Sequence, residues 1–140
     1  MPEMRIRKTL PEDIPHAVAL AARLGLDYPG LEADMLWVAL DAGRTIGLIA
    51  LKKHPDCLEL CALGVDPDHR GQGVAQALVE ALMAEAPGVV HLATVIPGFF
   101  EARGFRATQD IPAAFPAKRK TAWCDGCPQE LCTVMSREKP

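Results

Sequence analysis

No run of the roughly 18 to 20 consecutive apolar residues needed to span a bilayer occurs in this chain, which argues against a helical membrane protein. The N-terminus, Met1-Pro2-Glu3-Met4-Arg5, lacks the apolar stretch of a signal peptide, so a cytoplasmic protein is expected. Charge of one sign is missing too. The 15 Lys and Arg against 18 Asp and Glu leave a formal charge of −3, which gives no general attraction to nucleic acid or an anionic membrane; neither is an expected partner. The five cysteines are an odd number and do not read as a secreted disulfide framework. There is no internal repeat and no low-complexity tract. What is present is 140 residues with 49% hydrophobic and 24% charged side chains, enough for one real core and a single domain over 1–140.

Met4 to Lys8 alternates modestly and reads as a short strand. Thr9-Leu10-Pro11-Glu12 reads as a helix start, with Thr9 as the cap and Glu12 three residues on. That helix runs to about Arg23, with Ala17, Leu20, Ala21 and Leu24 on one face and Gly25 as the stop. Residues 25–34 form a loop with a helical turn. Met35–Leu40 and Thr45–Lys52 are apolar runs around Asp41-Ala42-Gly43-Arg44, a hairpin pattern, and Cys57–Val65 is the next strand. From Gly71 to Ala86, Val74, Ala77, Leu78, Ala81 and Leu82 recur at helical spacing, and Pro87-Gly88 ends the helix. Val89–Ile96 follows as a strand, so residues 57–96 read as a parallel strand–helix–strand unit. Pro97–Arg103 is a short helix closed by Gly104-Phe105. The tail from Asp110 to Gln129 is irregular, and Leu131–Met135 reads as a final edge strand.

Arg70-Gly71-Gln72-Gly73-Val74-Ala75 joins a strand to a helix. Glycines there allow a ligand close to the backbone, and the first helical N–H groups lack partners within the helix. With the positive end of the helix dipole they suit a pyrophosphate, and Arg70 adds charge at the rim. A mere tight turn is the competing reading. The segment has neither the Lys-Ser/Thr pair of a P-loop nor the three-glycine spacing of a dinucleotide fold.

The stretch Leu58 to Ala75, followed by Leu78-Val79-Glu80-Ala81-Leu82, resembles the central motif of the GNAT superfamily of acyl-CoA-dependent N-acyltransferases. The family pattern Arg/Gln-x-x-Gly-x-Gly/Ala is met by Arg70, Gly73 and Ala75. Phe99 to Phe105 resembles the second family motif, and the likeness covers roughly residues 35–109. It implies an α/β (α+β) fold with a mixed, mostly antiparallel sheet, splayed between strands 4 and 5, and helices on both faces. It also implies acetyl-CoA as cosubstrate. By the resemblance, the backbone of Leu63, Gly64 and Val65 pairs with the pantetheine and Arg70 to Ala75 bind the pyrophosphate. Phe99 and Phe100 lie near the thioester or the pantetheine arm, a role compatible with core packing.

The implied reaction is acetyl transfer to a primary amine. The amine must lose a proton before it attacks, and a carboxylate or histidine can take it. Glu59 is the candidate base, since in relatives of this kind a glutamate near this position often serves; a solvent-facing strand residue without a role is the alternative. His54, His69 and His91 are weaker candidates, the first two as solvated turn residues. The tyrosine that often protonates the departing thiolate in this family is Phe100 here, and the single tyrosine, Tyr28, lies in the early loop, so no acid is assigned.

The region from Phe99 on is similar to N-acetylglutamate synthase-type members of the family. With Lys118, Arg119 and Lys120 able to attract a dicarboxylic substrate, it points to a free amino acid or other small-molecule amine. A protein lysine or N-terminus, and a non-catalytic coenzyme A-binding sensor, are the alternative readings. Cys124, Cys127 and Cys132 have three possible roles: unligated structural thiols, ligands of zinc or an iron–sulfur cluster, or a redox pair. Oligomeric state is open, a homodimer included.

Overall fold

A computed structural model describes residues 4–115 and 132–138. The chain divides into two compact units: Met1–Lys52 with Leu60–Glu85, and Lys53–Glu59 with Ala86–Pro140.

The first unit holds β1 (Met4–Lys8), α1 (Ile14–Arg23), β2 (Met35–Asp41), β3 (Arg44–Lys53), most of β4 (Leu58–Val65) and α2 (Val74–Glu85), with strand order β1-β2-β3-β4. β2 and β3 are apolar runs rather than alternating ones because both faces of the sheet are covered. Val38 pairs with Leu48, and both join a buried cluster with Ala17, Leu20 and Ala21 of α1. The intervening residues face α2. Trp37 donates its indole N–H to Glu85 at the end of α2. A Cβ on Gly47 would stand 3.1 Å from both Leu78 and Val74. The hairpin turn is Ala42-Gly43, with φ of 50° and 81°. These left-handed values match the twist of a two-residue hairpin.

The second unit holds the start of β4, then β5 (Val90–Thr94), α3 (Pro97–Glu101), β6 (Arg106–Ala107) and β7 (Thr133–Arg137), in the order β4-β5-β7-β6. β4 and β5 run parallel, paired at Leu58–Val90 and Glu59–His91, while β7 is antiparallel to both β5 and β6. The architecture is thus the mixed, mostly antiparallel sheet with helices that the family resemblance implied. β7 is not the edge strand expected, because β6 pairs with its outer side through Arg106–Ser136 and Ala107–Met135.

Two helix starts also differ from expectation. Thr9 caps nothing; its N–H bonds to Leu36 O at 2.9 Å. Leu10 is the N-cap of a short 3-10 turn over Pro11–Asp13 that leads into α1, and Asp13, three residues on, accepts the Leu10 N–H at 2.8 Å. α2 begins at Val74 rather than Gly71, because Gly71 and Gly73 hold φ of 80° and 81°, outside any right-handed helix.

Candidate active site

The turn before α2 is built in steps. Asp66 ends β4 and folds its side chain back to accept the Asp68 N–H at 3.0 Å, starting a 3-10 turn over Pro67–His69. Arg70 follows, exposed, its Nε donating to Val65 O at 3.3 Å, which ties the guanidinium stem to the end of β4. Gly71, Gln72 and Gly73 are exposed. Among the described residues, a Cβ on either glycine would meet nothing within 4 Å, so both are required by backbone conformation. The first helical hydrogen bond runs from Ala77 N to Gly73 O at 3.1 Å. The N–H groups of the preceding turn therefore point along the helix axis toward that exposed face. The residues fit a pyrophosphate. Val74 is buried against the sheet, so any part it takes is through its backbone alone.

In β4, Ala62 has φ of 52°, a left-handed residue inside a strand. Only glycine adopts this conformation without strain, so the sequence carried no sign of it. Leu63 and Gly64 follow, half-buried, and a Cβ on Gly64 would lie 2.4 Å from Leu26 Cδ1 and 2.9 Å from Leu24 Cδ1.

Glu59 is neither solvent-facing nor alone. It is 2% exposed, and its Oε1 lies 2.7 Å from His54 Nε2. His54 is therefore not the solvated turn residue expected. Its N–H closes the turn on Cys57 O at 2.9 Å, and that hairpin carries the ring over Glu59, two residues further on. Burial first, then Asp56 and Glu59, push the Cys57 thiol up to about 11. His69 likewise has a partner, Asp41 Oδ2 at 3.2 Å, while its Nδ1 is buried without one among the described residues. His91 stands beside Phe115, with ring centroids 6.4 Å apart.

Phe100 is 5% exposed and packs edge-on against Phe105 and Phe99, with centroids at 5.7 and 4.9 Å. Phe99 is half-buried, with the Arg103 guanidinium 4.1 Å above its ring. Tyr28 donates its hydroxyl to Asp34 and lies 3.6 Å from Cys61 Sγ, under the Lys52 ammonium. Burial, then Cys61 and Asp34, drive its phenol far above the ordinary range, which makes it a poor proton donor.

Comparison with known proteins decides what this arrangement belongs to. The model of the acetyltransferase (GNAT) domain matches residues 32–107. The chain belongs to the GNAT acetyltransferase family. Among curated relatives, the peptidyl-lysine N-acetyltransferase YjaB of Salmonella typhimurium is 38% identical over 79 residues, covering 52% of this chain and 51% of that protein. The chain spans about half the length of this relative. Solved GNAT structures share the fold. N-acetylglutamate synthase of Neisseria gonorrhoeae, complexed with coenzyme A and N-acetyl-glutamate, superposes with a TM-score of 0.77 at 19% identity, over 99% of this chain and 35% of that one. A GNAT-family acetyltransferase of Staphylococcus aureus gives 0.72 at 15% identity, over 99% and 100% of the two chains.

Within this GNAT domain Gly71 and Gly73 precede α2 and Glu59 lies in β4, and the His54 partnership is what sequence reasoning missed. A histidine in a Pro-Asp turn gives no sign of what lies diagonally across a hairpin. Lys118, Arg119, Lys120, Cys124 and Cys127 lie outside the described residues. Cys132 is a free, half-buried thiol. Among the described residues, no group of three or more His, Cys, Asp or Glu side chains could hold a metal ion, and no helix is long and apolar enough to cross a membrane.

Proposed function

We propose that this domain transfers the acetyl group of acetyl-CoA to a primary amine, and the observation that carries the reading is the left-handed Gly71–Gly73 turn opening on α2 in a GNAT domain. Arg70 to Ala75 hold the pyrophosphate through main-chain donors, with the Arg70 guanidinium alongside. The backbone of Leu63, Gly64 and Val65, just past the left-handed Ala62, offers the pantetheine amide groups their partners. Glu59 accepts the proton of the incoming amine. The nitrogen lone pair then attacks the thioester carbonyl, and collapse of the adduct breaks the C–S bond. The thiolate of coenzyme A leaves and takes its proton from water, since Phe100 cannot donate one and the Tyr28 hydroxyl is committed to Asp34.

For the acceptor, a protein lysine is favoured over the free amino acid first expected. The 38% identity to a peptidyl-lysine N-acetyltransferase supports it, whereas the likeness to the glutamate-acetylating enzyme is one of fold. The decisive experiment incubates the protein with acetyl-CoA and a panel of lysine peptides, N-terminal peptides and free amino acids, reading released thiol. Turnover with lysine peptides is the expected result. Activity on free glutamate alone would return the acceptor to the small-molecule class, and absence of both turnover and heat of coenzyme A binding would overturn the reading. Zinc or iron–sulfur at Cys124, Cys127 and Cys132 is a separate question that elemental analysis of anaerobically purified protein answers.

A further inference from the structure

Glu59 has a difficulty as a base. Its side chain is 3% exposed, so a proton it collects has no direct way to bulk water. His54 is placed to remove it: Nε2 stands 2.7 Å from Oε1, and the imidazole keeps 19% of its surface in solvent. We infer that His54 is the proton outlet of Glu59, forming with it a carboxylate–imidazole relay from the amine to water. The inference rests on the reading of Glu59 as the base.

The steps balance. Glu59 takes one proton from the amine nitrogen and passes it to the Nε2 lone pair of neutral His54. The imidazolium so formed releases its Nδ1 proton to water, and tautomer exchange through solvent restores the acceptor at Nε2. The carboxylate returns to its starting state, and the net product is one proton in solution. Three features keep the relay in one geometry. The turn is clamped by His54 N–H to Cys57 O at 2.9 Å, and Asp56 is held by the Ala113 N–H at 2.8 Å. His91, the register partner of Glu59 on β5, bounds the pair on the adjacent strand. Of the other titratable groups nearby, the Asp56 carboxylate is occupied by Ala113, and the Cys57 thiol stays protonated at neutral pH.

The test compares His54→Ala, His54→Gln and Glu59→Gln in steady-state turnover, with acetyl-CoA affinity measured by calorimetry on each. His54→Ala should lose on the order of a hundredfold in kcat, the lower end of general acid–base effects, with unchanged acetyl-CoA affinity. Added imidazole should restore much of that rate. Glutamine, which cannot carry a proton through, should not restore it. Wild-type turnover in His54→Ala, or a loss that imidazole leaves untouched, would overturn the relay while leaving Glu59 as base. Full activity in Glu59→Gln would instead sink the underlying assignment.

Discussion

Gly71 and Gly73, separated by Gln72, share almost the same left-handed φ, 80° and 81°. Between them they turn the chain from a 3-10 segment into α2 while adding no side chain of their own to the open face.

Gly73→Ala therefore forces an L side chain into a disfavoured conformation at about 1–2 kcal/mol. For a chain this size that lowers Tm by roughly 3–8 °C. The same variant should bind coenzyme A more weakly by calorimetry, and Gly71→Ala should behave alike. Gly88→Ala is the control, since its Cβ meets nothing within 4 Å and its φ is not left-handed; it should change neither quantity.

Trp37 is fully buried and its indole N–H is directed to Glu85 on α2. Glu85→Ala leaves that donor without its carboxylate, at about 1–3 kcal/mol. Urea denaturation should show the loss as a lower midpoint with an unchanged slope. A midpoint equal to the wild type would mean the indole finds another acceptor.

Asp13 gives a prediction in pH. The Arg7 guanidinium, donating at 2.8 and 3.1 Å, holds the Asp13 carboxyl below its ordinary value, with help from the Leu10 N–H and against the effect of burial. A carboxyl depressed on folding contributes stability that is complete above its unfolded pKa, ordinarily 3.8, and fades as pH falls through the folded value. Asp13→Asn should accordingly lower Tm at pH 7, and the gap from wild type should narrow in acid. A gap independent of pH would contradict this.

Cys57 should resist alkylation. With its thiol pushed up to about 11 by burial and by Asp56 and Glu59, its iodoacetamide rate should rise through pH 11. An ordinary thiol titrates near about 8.5. Peptide mass spectrometry resolves the site, and Asp56→Asn should bring the inflection down. Fast labelling at pH 8 would refute the assigned environment.

Hydrophobic spacing located β1 and α1 to within a few residues and β2, β3 and β4 to within one, because their apolar runs are bounded by turn residues such as Ala42-Gly43 and Asp66-Pro67. The glycine turn before α2 was legible for the same reason. Backbone conformations that only glycine tolerates leave a mark in the sequence. The N-cap was placed one residue early, at Thr9 instead of Leu10, because Asp13, the acceptor of the Leu10 N–H, is fixed in space by Arg7 of β1. The position of β7 was misread as well, since nothing in Thr133–Arg137 says that the two-residue β6 covers its outer side.

Local chemistry alone thus determined most of the elements and the glycine turn, as those depend on residues within a few positions of one another. Tertiary structure alone decided that Glu59 is buried, that His54 stands against it, that Phe100 belongs to an aromatic cluster and that Ala62 is left-handed. Each of these is imposed by groups brought together across strands, where the packing of neighbours outweighs the preference of the residue itself.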